Sequence, residues 1–229
     1  NNNYQITETE DALGNKNYNY YDNNHTMKII CVGKNYTDHI KEFDGVIPKE
    51  MVLFMKPDTA LHNLEIPYYI PDFTHNLHHE IEIVLKINQN GKCIAEKYAH
   101  KYYDEIALGI DFTARDLQQT LREESLSWEK AKAFDGSAIV GTFVPKTELP
   151  ELNHLSFRLE NNGKTVQAGN TENMLWHFDQ IIAEASRYFT LRKGDLIFTG
   201  TPKGVAQVQT GDTLEAFLEE KSNFKIKIR

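Results

Sequence analysis

Two histidines and two glutamates fall within the five residues His78, His79, Glu80, Ile81 and Glu82, and the run continues as "IVL". On a β-strand successive side chains point to opposite faces. Glu80 and Glu82 therefore share a face with His78, while His79, Ile81 and Ile83 take the other. Two like charges two residues apart repel and need a compensating partner. A hard divalent cation is one such partner, because carboxylate oxygens suit Mg2+, Mn2+ or Ca2+. The plainer alternative is an edge strand with a wet charged face, and from this fragment alone it is the favoured one. Asp111 shifts the balance toward a metal, since it closes the apolar run "IALGI" as a third acid. Three carboxylates around a divalent ion leave one net negative charge. A lysine from "EKAKAFDG", either Lys130 or Lys132, would neutralise it and attract an anionic substrate. The loop "TGTPKGV" at 199–205 offers small residues, backbone N–H groups and a hydroxyl that can cradle a carboxylate. Its spacing is not that of a phosphate-binding loop.

His39 and Glu42 stand three apart in "DHIKE", so a helix or tight turn puts them on one face. A carboxylate beside an imidazole orients it and favours its charged form, which suits water activation or proton relay. On the residues alone, a surface pair of little energetic weight is favoured. His78 is placed beside the acids without ligating a metal. His75, His100, His154 and His177 are read as ordinary surface or core residues.

These side chains need a scaffold. "KIICV", "MVLFMK", "EIEIVLKI", "IALGID" and "SAIVGTFV" read as strands, and "LSFRLENNGKTVQAG" as a hairpin turning at Asn161, Asn162 and Gly163. "TARDLQQTLREES" has helical spacing, with Leu117 and Leu121 at i and i+4. "MLWHFDQIIAEASRYF" is the strongest amphipathic helix, with Leu175, Phe178, Ile182 and Ala185 on one stripe. "GDTLEAFLE" and "FKIKIR" close the chain as strands. Residues 1–26, rich in Asn and Tyr and without a period, read as an N-terminal extension or appended segment; residues 27–229 read as one catalytic domain.

The 229 residues carry a formal charge of −8, which argues against nucleic acid or an anionic membrane as partner. No apolar run approaches the 18 residues of a membrane span. Cys31 and Cys93 lie in strand-like apolar settings and are expected as buried free thiols, a disulfide remaining open. So few cysteines, with no secretory signal, suggest a reducing cytoplasm.

Seven segments occur in order: "CVGKNYTDHIKE", "VLFMKPDTAL", "NLHHEIEIVL", "GIDFTARDLQ", "AKAFDGSA", "QAGNTENML" and "GDLIFTGTPKGV". Together they resemble the fumarylacetoacetate hydrolase family, in its small acylpyruvase and oxaloacetate decarboxylase branch, over Met27 to Arg229. The resemblance implies an α+β, β-rich fold with a mixed β-roll core and a few short helices, an Mg2+ (or Mn2+) cofactor and a homodimer. It implies Glu80, Glu82 and Asp111 as metal ligands and Lys132 as the site lysine. His39 and Glu42 become the mobile acid–base pair, Arg115 and Gln118 face the substrate, and Thr201 contacts its carboxylate. Trp176 departs from the pattern, as core or as a reshaped pocket wall. The implied activity is on small 2-oxo or dicarboxylic acids: C–C hydrolysis of acylpyruvates or oxaloacetate decarboxylation. The alternatives are isomerisation of a 2-hydroxyhepta-2,4-diene-1,7-dioate, oxaloacetate tautomerisation, a catalytically silent metal-binding homologue, or a dimeric structural protein whose acids are merely solvated.

Overall fold

The computed structural model describes residues 4–10, 16–22, 27–42 and 46–229, with backbone alone for 4–10, 16–22 and 41–42. Strands β1 (Tyr4–Glu10) and β2 (Lys16–Asp22) pair with each other as an antiparallel hairpin. The remainder of the expected extension lies outside the described residues.

The site rests on a seven-stranded sheet. Its members are β3 (Ile29–Gly33), β4 (Val52–Lys56), β6 (Ile81–Ile87), β7 (Tyr103–Asp111), β9 (Ala138–Val140), β10 (Val144–Pro145) and β13 (Leu196–Phe198). The spatial order is β10-β7-β6-β13-β3-β4, with β9 also on β7. Only β13 with β3 is parallel in this sheet. A three-stranded sheet runs β14-β5-β8, from β5 (Leu77–His79), β8 (Thr113–Ala114) and β14 (Ala206–Gln207). A four-stranded sheet runs β12-β11-β15-β16, from β11 (Ser156–Asn161), β12 (Lys164–Asn170), β15 (Thr213–Leu218) and β16 (Lys221–Lys227). The helices are short: α1 (Thr37–Glu42), α2 (Glu96–Ala99), α3 (Arg115–Glu123), α4 (Glu129–Lys132) and α5 (Phe178–Tyr188).

Alternation divides the central sheet into two apolar faces. Ile81, Ile83, Leu85 and Ile87 of β6 enter the main core with Ile30 and Val32. Val84 turns the other way, into a smaller cluster with Ile29, Cys31 and Phe198. Glu80 and Glu82 share the Val84 side, so they sit at the end of that second cluster. Strand β6 lies between β7 and β13, and both acids are buried, Glu82 at 2% exposure. The wet edge-strand reading is excluded by this placement.

Four expectations need correction. The "HHEIEIVL" strand is interrupted at Glu80, between β5 and β6. "SAIVGTFV" is two strands rather than one, parted at 141–143, where Asn223 fills the space beside Gly141 that a side chain would take. Helix α5 begins at Phe178, because the backbone before it is held in a bend by Asn35: Leu175 N–H donates to Asn35 O at 2.8 Å and Trp176 N–H to Asn35 Oδ1 at 2.8 Å. Trp176 packs against the main core and does not line the site. Cys93 is exposed on a turn with φ +51°; Cys31 is buried, and both thiols are free.

Candidate active site

Glu80 and Asp111 face each other across the β6–β7 ladder, where Asp111 N–H donates to Glu80 O at 2.9 Å. Glu82 lies two residues along the same face and pairs with Gly109. Gly109 cannot carry a side chain: a Cβ there would lie 2.6 Å from Ile139 O and 2.7 Å from the Phe198 ring. One carboxylate oxygen from each of Glu80, Glu82 and Asp111 lies within 4.8 Å of the other two.

Three cations serve this triad. Lys132, at the end of α4, reaches Glu80 Oε2 at 2.8 Å and Asp111 Oδ2 at 2.7 Å. Arg115, the first residue of α3, pairs with Glu80 Oε1. Lys56, fully buried at the end of β4, reaches Asp111 Oδ1 at 2.7 Å and also donates to Lys132 O and to Ser137 Oγ. Sequence reasoning missed Lys56. Its signal was a lysine closing an apolar strand just before Pro57, which looks like an ordinary exposed strand end.

The protonation pattern follows from these contacts. Burial opposes the Glu80 charge, but Lys132, Arg115 and His39 outweigh it and hold the carboxyl well below the usual range. For Glu82, burial and then the Asp111 and Glu80 charges push the carboxyl well above that range, and the Gly200 N–H at 2.7 Å does not offset them. Burial works against the Lys132 ammonium too, yet Asp111 and Glu80 raise it to about 12. His78 is lowered to about 4 by burial and by Arg115. Its Nδ1 accepts from Arg115 Nε at 3.5 Å and its Nε2–H donates to Asn76 at 2.9 Å, so it supports Arg115 as a neutral ring.

The donor set fits a hard divalent ion. Three buried carboxylates converge, and Glu82 is the one whose charge the protein's own cations leave uncompensated. Glu80, Glu82 and Asp111 are the residues that could hold such an ion.

A cavity of about 420 Å3 opens over the triad. His39, Arg115, Gln118, Lys132 and Thr201 all line it. The structure thus brings together eight of the nine expected site residues. The ninth, Glu42, ends α1, and its side chain lies outside the described residues. Arg115 Nη1 donates to Gln118 Oε1 at 2.6 Å, so Gln118 turns its amide nitrogen to other partners. Asn35 ties the turn between β3 and α1, the helix that carries His39, to the end of β13 and the 174–177 segment: its amide donates to Thr199 O at 2.7 Å and to Trp176 O at 3.0 Å. Gly200 faces that turn at φ +104°, where a Cβ would lie 2.6 Å from Asn35 Cβ. The wall also holds Phe54, whose ring centre is 5.3 Å from Lys132 Nζ, and Trp128, with two exposed cations, Lys34 and Arg122. Lys130 is exposed and plays no part.

Residues 28–228 match the family model "Fumarylacetoacetate (FAA) hydrolase C-terminal". The chain belongs to the fumarylacetoacetate hydrolase family. Its similarity to the mitochondrial oxaloacetate tautomerase of Homo sapiens is 38% identity over 200 residues, 87% of this chain and 90% of that protein. The oxaloacetate tautomerase YcgM of Escherichia coli is 39% identical over 82% of this chain and 86% of its own length. Among solved structures, the fumarylpyruvate hydrolase of Pseudomonas aeruginosa, in complex with Mn2+ and pyruvate, superposes with a TM-score of 0.84 at 31% identity, covering 92% of this chain and 91% of that one. The β-rich fold with short helices is that of this enzyme family, and the chain is an enzyme of it, with 2-oxo acid chemistry as its common thread. Among the described residues no helix is long and apolar enough to cross a membrane.

Proposed function

We propose that this chain is a divalent-metal-dependent oxaloacetate tautomerase, a reading placed ahead of the acylpyruvate hydrolysis and decarboxylation expected from the sequence. The names of relatives near 40% identity support that order. The observation that carries it is the charge balance of the site. The three carboxylates Glu80, Glu82 and Asp111 are equalled in number by Lys56, Lys132 and Arg115, whose ion pairs go to Glu80 and Asp111 and not to Glu82. A divalent ion added to this balanced set leaves an excess of two positive charges, the complement of a dicarboxylate dianion. Arg122 and Lys34, on the outer wall, are then placed for the second carboxylate.

Held by Glu80, Glu82 and Asp111, an Mg2+ or Mn2+ ion would supply Lewis-acid polarisation of the 2-oxo group. The chain's own residues do the rest. Arg115, Gln118 and Thr201 orient the 2-oxo acid head. His39, oriented by Glu42, takes the proton from C3 of the keto form and delivers it to the C2 oxygen to give the enol, and the same transfer runs backwards from enol to keto. Lys132 stays protonated and favours the negative charge that develops on the C2 oxygen. No C–C bond breaks, and no water is required. Phe54 and Trp128 narrow the cavity above the site and limit water. The expected result is rapid interconversion of enol and keto oxaloacetate, followed by ultraviolet absorbance with Mg2+ present, and a fall of about 100-fold or more on His39→Ala. Wild-type protein with Mg2+ that leaves the uncatalysed rate unchanged overturns the reading.

Acylpyruvate hydrolysis is the second reading, favoured by the likeness to the Pseudomonas aeruginosa hydrolase. There His39 activates water against the distal carbonyl. Release of pyruvate from fumarylpyruvate or acetylpyruvate tests it in the same preparation. Mg2+ as the cellular ion and a cytoplasmic location, consistent with the two free thiols, belong to the same proposal. So does a homodimer, supported by edge strand β4 and the exposed Met55, Val46 and Ile47; light scattering at a monomer mass would remove it.

A further inference from the structure

Gln167 lies on β12, in a different sheet from the carboxylates, and is 1% exposed. Its side chain crosses to the site and uses both ends. Oε1 accepts from Ile81 N–H at 3.1 Å and meets His79 Nδ1 at 2.8 Å. Nε2 donates to Thr201 Oγ1 at 2.9 Å and to Pro202 O at 2.9 Å. Two of these partners fix the orientation of the amide. Ile81 N–H can only donate and Pro202 O can only accept, so the oxygen must face β6 and the nitrogen must face the 199–205 loop. Thr201 Oγ1 therefore receives a hydrogen bond from the protein. Among the described residues its own hydrogen finds only the Pro202 carbonyl at 3.5 Å, the outer limit for such a bond, an oxygen that also accepts from Gln167 at 2.9 Å. Thr201 lines the cavity, so the hydrogen points to what the cavity holds.

We propose that Gln167 is a positioning residue that sets Thr201 as a hydrogen-bond donor to the substrate carboxylate. The same side chain bridges the interruption at Glu80 by holding His79 and Ile81 on either side of it. It thus couples the acid-bearing strand to the carboxylate-binding loop. This inference rests on the reading of Thr201 as the carboxylate contact.

The test is calorimetric binding of oxalate, a mimic of the 2-oxo acid head, to the Mg2+-loaded protein, with Mg2+ affinity measured separately. Thr201→Val should weaken oxalate about 10-fold or more, the weight of a hydrogen bond to a charged group. Gln167→Met keeps the length and removes both polar ends; it should weaken oxalate several-fold. The double variant should bind no more weakly than Thr201→Val alone, with Mg2+ affinity held within about two-fold throughout. Multiplying effects, or unchanged oxalate affinity in Gln167→Met, overturn the positioning role. Wild-type oxalate affinity in Thr201→Val overturns the Thr201 reading beneath it. Because binding needs no turnover, failure of the tautomerase assay is a separate result. Should Gln167→Met fail to fold, Gln167→Glu serves: its carboxylate takes the Thr201 hydrogen, so oxalate affinity should drop to that of Thr201→Val, and retention of wild-type affinity overturns the proposal.

Discussion

Lys56 and Glu82 lie in the same buried cluster and should respond to substitution with opposite signs. Lys56 Nζ is shared by Asp111 Oδ1, Lys132 O, Ser137 O and Ser137 Oγ, at 0% exposure. Lys56→Met takes from buried Asp111 Oδ1 its ion-pair partner, while Asp111 Oδ2 keeps Lys132, Lys132 O keeps the Ser137 hydroxyl and Ser137 O keeps Phe112 N–H. Breaking a buried pair from one side costs about 3–5 kcal/mol, so urea denaturation should show a loss of that order. Glu82 is the converse case, since burial and its acidic neighbours disfavour its charge. Glu82→Gln removes that repulsion while still offering an oxygen to Gly200 N–H. Without metal it should melt at or above the wild-type temperature, gaining about 1 kcal/mol, less than one pKa unit is worth. Under the metal-dependent proposal Mg2+ should raise the melting temperature of wild type by mass action, and Glu82→Gln should lose that rise. A lower metal-free melting point would show Glu82 to be compensated already.

At the level of elements, the triad depends on how closely β6, β7 and β13 approach. Gly109 permits that approach, with Ile139 O, the Phe198 ring and a Val84 methyl all within 2.7 Å of where a Cβ would stand. One of the three is backbone, so relief requires β9 to move. Gly109→Ala should destabilise by about 1–3 kcal/mol, the range for overpacking a core, and a drop in melting temperature with weakened Mg2+ binding would check it. Strand alternation made Glu80 and Glu82 readable in the sequence, because a period of two is a local property. Asp111 was readable as the acid that closes an apolar run, and the short helix from Arg115 by Leu117 and Leu121 at i and i+4, both local patterns as well. Gln167 and Lys56 were not. Gln167 meets His79 across 88 residues of chain and Lys56 meets Lys132 across 76, and no local pattern marks such partners. The start of α5 was misjudged in the same way: 174–177 has helical spacing, but Asn35, 141 residues from Trp176, holds its backbone in a bend. Strand and helix types thus came from periodicity, while the interruptions came from tertiary hydrogen bonds that periodicity does not encode.

For the whole molecule, 33 acidic against 25 basic residues give a charge of −8. An anionic substrate is therefore repelled at long range and must be drawn in by a local field. Lys34 and Arg122 on the outer wall, with Arg115 and Lys132 deeper, supply that field. Asp116, also on the wall, is held ionised by Thr74 Oγ1 at 2.6 Å and His75 N–H at 2.9 Å and opposes it. Charges at a cavity mouth act through solvent and are screened within about 10 Å at 0.1 M salt. Interactions deep in the site are screened far less. For oxaloacetate, kcat/KM should consequently fall as salt is raised from about 0.02 to 0.2 M, a range over which the Debye length contracts several-fold. Arg122→Gln should lower kcat/KM about 10-fold at low salt, chiefly through KM, and flatten the salt dependence. The 4-ethyl ester of oxaloacetate keeps the 2-oxo acid head and loses the second charge. It should be turned over by wild type and Arg122→Gln at similar kcat/KM, because nothing remains for Arg122 to read. An equal loss on acid and ester would place Arg122 at the 2-oxo acid head instead, and an unchanged salt slope would move the attracting field to the buried cations alone.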